Sequence, residues 1–185
     1  KLSFTGHKGL GILIRNSDSR IVAIQIRKDT IQEGDSRYIW FSSSFATYNP
    51  DEYNGGNGCG SPKDVCYPQM LKKHTLCITE GRFKSEKLTE SGNISISVQG
   101  VTSWHGIEET IKHMNGIHNV FIFFDADILG KHVLFMQSEK MIRKIQDEFP
   151  GLYIRYAFWS KKNGKGIDDC IICLLYTSDA ADEED

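Results

Sequence analysis

No stretch of this 185-residue chain approaches the roughly 20 consecutive apolar residues that a membrane-spanning helix needs, and no charged-then-apolar leader opens it. These absences argue against a membrane-spanning or secreted protein, and the expected location is the cytoplasm. Cysteine is sparse and odd in number, at 5, which excludes a disulfide scaffold and points to free thiols in a reducing compartment. The gaps separating Cys59, Cys66 and His74 fit no common zinc spacing. Strong net charge is also lacking: 22 Lys plus Arg stand against 24 Asp plus Glu. With 39% apolar and 25% charged side chains, the composition is that of a globular chain and excludes collagen-like and disordered classes. The length allows one full domain and a smaller appendage.

The charge is unevenly placed. From Cys173 onward the sequence CLLYTSDAADEED holds five acids and no base, which leaves 22 bases against 19 acids in residues 1–172. Between Lys131 and Lys165 eight bases face three acids, a locally basic stretch of the kind phosphate backbones attract, although a solvated helix face has the same composition. Residues 173–183 are similar to the conceptual translation of a common sequencing-library adapter. Residues 173–185 are therefore expected to be a non-native acidic tail, with the natural protein continuing past Ile172.

Hydrophobic periodicity divides the chain. Gly11 to Arg15 and Ile21 to Arg27 alternate as half-buried strands about the turn Asn16-Ser17-Asp18-Ser19, which predicts a β-hairpin. Arg37 to Ser42 reads as a third strand, and Asn49 to Pro68, rich in Gly, Asn, Pro and Asp, as a long irregular connection. From Leu71 strand and helix alternate. Strands are predicted at Thr75–Thr79, Ile94–Val98, Asn119–Phe124 and Leu152–Phe158, and helices at Arg82–Glu90, Trp104–Met114 and His132–Phe149. Continuous apolar strands separated by helices imply a parallel sheet covered on both faces. The expected architecture is a β-rich N-terminal subdomain over residues 1–70 and an α/β domain over residues 71–172.

In open parallel sheets ligands bind beyond the carboxyl ends of strands. One predicted strand runs into Glu80-Gly81 and another into Asp125-Ala126-Asp127, so three carboxylates emerge at one edge if those strands are neighbours. Two acids alternating about Ala126 lie on one side of an extended backbone and repel unless a cation joins them. Clustered carboxylate oxygens without Cys or His suit Mg²⁺ or Mn²⁺. The other reading is that Glu80 caps the following helix and the aspartates belong to a turn.

The ordered set Leu76-Cys77-Ile78-Thr79-Glu80-Gly81-Arg82-Phe83-Lys84, Val98-Gln99-Gly100-Val101 and Phe123-Phe124-Asp125-Ala126-Asp127 resembles the Toprim domain of primases, topoisomerases, recombination mediators and small nucleases. The likeness spans about residues 71–172 and is nearest to primase-like Toprim proteins of phages, plasmids and integrative elements. It implies a Rossmann-like parallel sheet, with Glu80 as general acid or base and Asp125 and Asp127 holding Mg²⁺ or Mn²⁺. Gly164-Lys165-Gly166-Ile167-Asp168-Asp169 resembles the segment that adds a further acid, so Asp168 or Asp169 is expected to complete the shell. The N-terminal strands resemble the basic subdomain that precedes Toprim in primases. One departure is the stretch Ile128-Leu129-Gly130-Lys131, where the family places another acid.

Lys84, one helical turn after Glu80, is a candidate phosphate contact, and Lys161, Lys162 and Lys165 are candidates for attracting the nucleic-acid backbone. Trp104 and His105 either face the site or anchor packing. Tyr153, Tyr156 and Phe158 read as core, and Trp159 either joins them or stacks on a base. The reading that follows is metal-dependent nucleotidyl transfer by a primase-like module of a mobile-element replication protein. Its partners would be single-stranded DNA, nucleotides and a replicative helicase, fused or separate. The alternatives are a Toprim-type nuclease acting on DNA or RNA, and a non-catalytic DNA-binding module of a helicase-associated protein.

Overall fold

The computed structural model describes residues 8–42, 47–49, 53–54, 58–72 and 74–173. The chain divides into two compact units, Lys1–Pro62 and Lys63–Asp185.

In the first unit, strands β1 (Gly9–Arg15), β2 (Ile21–Lys28) and β3 (Tyr38–Trp40) form an antiparallel sheet in that order. The hairpin turn is closed by its first residue, since Asn16 Oδ1 accepts from the backbone N–H groups of Asp18 at 3.1 Å and Arg20 at 3.0 Å. This is the local competition for backbone donors that makes Asn a turn residue. Ile12 and Ile14 are buried while Leu13 between them is exposed, the period of two that the sequence alternation implies. A second pair, β4 (Thr47–Asn49) and β5 (Tyr53–Asn54), is antiparallel.

The second unit begins with a strand that sequence reading assigns to an irregular connection: β6, Asp64–Cys66. The sequence then alternates through β7 (Thr75–Glu80), α1 (Arg82–Thr89), β8 (Ile94–Val98), α2 (Ile107–Lys112), β9 (Asn119–Phe123), a 3₁₀ turn at Ile128–Gly130, α3 (His132–Glu148) and β10 (Tyr153–Tyr156). The sheet order is β10-β9-β7-β8-β6, with four parallel strands and β6 antiparallel at one edge. Residues 167–173 are helical. The expected α/β fold, a parallel-rich sheet flanked by helices, together with a separate small antiparallel sheet in the first unit, is what the chain forms.

Side chains alternate between the two faces. Leu76, Ile78, Ile96, Val120 and Ile122 pack with Ile107, Ile111, Met141 and Ile145 of α2 and α3 into the main core. Cys77 packs on the opposite face with Leu88 of α1 and with Ile167 and Cys170 of the 167–173 helix. Met141 and Ile145 lie four residues apart on α3 and are both fully buried, and each contributes about 1.5–3 kcal/mol through the apolar surface removed from water. The helix predicted from Trp104 starts only at Ile107, because Gly106 at φ 81° turns the chain into it. Trp104 instead packs into the core, and its indole N–H donates to Gln137 Oε1 at 3.4 Å. Residues 174–185, most of the adapter-like tail, lie outside the described residues. No helix among the described residues is long and apolar enough to cross a membrane.

Candidate functional site

Strands β7 and β9 pair directly, with Thr79 opposite Phe123, so their carboxyl ends share one edge. The Thr79 hydroxyl donates to the Phe123 carbonyl at 2.7 Å and ties the two ends together. Glu80 closes β7. Gly81, at φ 85°, turns the backbone from strand into α1, a conformation that an L side chain adopts only with strain. Phe124 plunges into the core after β9, and the chain emerges as Asp125-Ala126-Asp127 before the 3₁₀ turn.

Glu80 and Asp125 meet through a lysine. The Lys84 ammonium, one turn along α1, hydrogen-bonds Asp125 Oδ1 and lies 3.8 Å from Glu80 Oε1. The second Asp125 oxygen pairs with Lys165 at 3.2 Å. That lysine arrives because its carbonyl accepts from the Ala126 N–H at 2.9 Å, which docks the Gly164–Asp169 segment against the acidic loop. Ile167 and Cys170, packed with Leu88 and Cys77, anchor the same segment from below.

The remaining acids differ in their surroundings. Asp127 pairs with Lys131 at 2.9 Å, while its Oδ1 is buried without a hydrogen-bond partner among the described residues. Asp168 Oδ1 is likewise buried and unpartnered. It stands beside the Lys84 side chain: a Cβ on Gly166 would meet both Asp168 Oδ1 and, at 2.8 Å, Lys84 Cε. Asp169 is exposed and accepts from the Gly166 N–H at 3.2 Å as a cap on the turn. Lys161 and Lys162 are exposed on a 3₁₀ turn in which Ser160 Oγ accepts from the Lys162 N–H at 3.3 Å. The Lys161 charge reaches Asp127. Trp159 holds this turn by donating to the Gly164 carbonyl at 3.2 Å, a packing role.

Burial raises the Glu80 carboxyl above the ordinary carboxylate range, and Asp125 pushes the same way, while Lys84, Lys131 and Lys165 pull it back. The Lys131 hydrogen bond lowers Asp127. A raised pKa in the fold means that ionisation of Glu80 opposes folding as pH climbs above its unfolded value. Glu80→Gln is therefore expected to be more stable than the parent protein at pH 8. The gap should close towards pH 4 as the parent's own carboxyl takes up its proton, which paired thermal melts across that range will check.

The oxygen-only donor set and the two orphaned buried carboxylate oxygens suit a hard divalent cation. As the side chains are placed, no group of three His, Cys, Asp or Glu residues among those described is positioned to hold an ion. The meeting point of Glu80 and Asp125 is occupied by the Lys84 ammonium. Sequence reading takes Lys84 as a phosphate contact and gives Lys131 no role beside the acids; the i,i+4 spacing of Lys84 to Glu80 and of Lys131 to Asp127 is the signal that points to these pairs, whereas the Lys165–Asp125 pair joins segments 40 residues apart and leaves no local signal.

The fold is similar to that of several solved primases. The primase of Aquifex aeolicus (zinc-binding and RNA polymerase domains) superposes with a TM-score of 0.56 at 13% identity, covering 95% of this chain and 39% of that one. A DNA primase domain from Pseudomonas aeruginosa gives 0.54 at 17% identity, covering 88% and 46%. The DnaG primase catalytic domain bound to single-stranded DNA gives 0.54 at 15% identity, covering 91% and 49%. The chain thus spans less than half the length of each. No curated protein sequence matches it. The fold is of the kind found in these primase domains. Residues 67–174, more than half of the chain, match one family model, and the chain belongs to the family described as Domain of unknown function (DUF3854).

Proposed function

We propose that this chain carries the catalytic module of a primase-like enzyme, joining nucleotides on a single-stranded DNA template in a mobile-element replication system with a replicative helicase as its partner. The observation that carries the reading is the meeting of Glu80 and Asp125 at the carboxyl edge of two adjacent parallel strands, in a fold similar to primase catalytic domains.

Asp125 and Asp127 would hold Mg²⁺ or Mn²⁺, with Asp168, whose Oδ1 lies beside the Lys84 side chain, as the further oxygen donor. A bound divalent ion supplies neutralisation of charge on the attacking and leaving oxygens in phosphoryl transfer. Glu80, whose carboxyl burial and Asp125 hold above the usual range, is suited to accept the proton of an attacking hydroxyl and return it. Lys161 and Lys162 on their exposed turn, and the exposed Lys165 on the segment that follows it, attract the phosphate backbone. Lys84 and Lys131 set the field inside the site.

Incubation with unprimed single-stranded DNA, labelled nucleotides and Mg²⁺ or Mn²⁺ tests this reading. Incorporation into product by the parent protein, lost in folded Glu80→Gln, supports it. Strand shortening without incorporation establishes a nuclease instead, and salt-sensitive DNA binding with no turnover under either metal establishes a binding module.

A further inference from the structure

Both oxygens of Asp125 already carry cations: Lys84 on Oδ1 and Lys165 on Oδ2. These two pairs are not equivalent. The side chains of Lys84 and Asp125 are 20% and 10% exposed, so water and salt screen their attraction poorly, whereas the Lys165 side chain is 65% exposed. Lys84 also faces Glu80 at 3.8 Å and stands next to the buried, unpartnered Asp168 Oδ1. Among the described residues it is the one cation within 4 Å of both Glu80 and Asp125. An ion taking Asp125 therefore competes with an ammonium at each oxygen. Gly166 leaves room for the Lys84 side chain, since a Cβ there would crowd Lys84 Cε.

We propose that Lys84 is a built-in competitor for the divalent ion at Asp125 and sets the ion concentration at which the site loads. The inference rests on the metal-binding part of the reading above and adds a control to it. Lys84 neutralises the acids when no ion is bound, which favours the folded site, and by the same attraction weakens ion uptake. A mobile ammonium with three donors is suited to this exchange, because it can leave one carboxylate for a neighbouring one without dragging a rigid plane.

The test titrates manganese(II) chloride alone into the parent protein and the Lys84→Met, Lys84→Arg and Lys165→Met variants at low salt, by calorimetry, and follows thermal midpoints with chelator and with Mn²⁺. Lys84→Met is expected to bind Mn²⁺ about tenfold or more tightly than the parent, because a full positive charge within a few ångströms of the ion is gone. Lys165→Met should gain less and Lys84→Arg should stay near the parent. The Lys84→Met protein should also melt lower in chelator and recover more on adding Mn²⁺. Equal or weaker uptake by Lys84→Met overturns the inference and leaves the metal reading standing. No uptake by any of the proteins overturns both. Tighter uptake by Lys84→Met without nucleotide incorporation by the parent would sustain the inference and discard the primase-like reading.

Discussion

Arg82→Met is expected to cost about 3–5 kcal/mol of folding free energy and to lower the thermal midpoint by roughly 10 °C. The Arg82 guanidinium places Nη1 3.0 and 3.1 Å from the two oxygens of Asp64, whose side chain is wholly buried in β6. Methionine keeps much of the aliphatic stem of arginine, so the loss isolates the charge. What remains is a carboxylate shut away from water without the guanidinium that paired both its oxygens, the situation in which breaking a buried pair costs far more than forming it gained. The neighbouring Arg82–Glu86 pair at 2.8 Å adds little, because Glu86 is half exposed. Chemical denaturation of Arg82→Met against the double variant Arg82→Met/Asp64→Asn provides the check. The double variant should recover part of the loss, and equal stability of the single variant and the parent would mean that the pair is not structural. The pair matters for the site because Arg82 opens α1, the helix that delivers Lys84.

That same pair marks the boundary of what the amino-acid sequence made readable. β8 is found at the predicted Ile94–Val98 and α3 within one residue of its predicted end, because both carry a regular apolar pattern, whereas the short, polar α1, also within one residue, is bounded by Gly81 before it and the turn at Gly92 after it. β6 escaped notice because three residues inside a Gly- and Pro-rich stretch carry no period, and its strand character comes from pairing with β8 rather than from propensity. With β6 unread, Asp64 was just another acid and the partner of Arg82 was invisible. In the site Glu80, Asp125 and Asp127 were legible because they end or closely follow strands, a place fixed by topology. The lysines that neutralise them were not, except where helical spacing put them one turn away, since Lys165 reaches Asp125 only through a loop docked by backbone hydrogen bonds. Asp168 and Asp169, indistinguishable as neighbours in sequence, are separated by the helical start at residue 167: one lies beside Lys84 and the other caps the turn.

Asp125→Asn is expected to lower ion-dependent nucleotide incorporation about 10³-fold, equivalent to ~4 kcal/mol of lost transition-state stabilisation, while circular dichroism shows the fold retained. Asparagine fills the same volume in this buried position but lacks the charge that holds Lys84 and Lys165. Two consequences follow from one substitution. Its amide is a poorer donor to a hard cation than a carboxylate, and Lys84 is left with Glu80 as its nearest anion, 3.8 Å away, where it would draw closer and favour the ionised carboxylate. Proton affinity at Glu80 then falls for two reasons at once, because the repulsion from Asp125 that helps raise it is also removed. A pH–rate profile separates the effects: the limb assigned to Glu80 should move to lower pH in whatever activity remains, in addition to the drop in rate. A drop with an unmoved limb would leave Asp125 as an ion ligand alone, whereas an unchanged rate would remove it from the reaction and with it the reason for placing chemistry at this edge of the sheet.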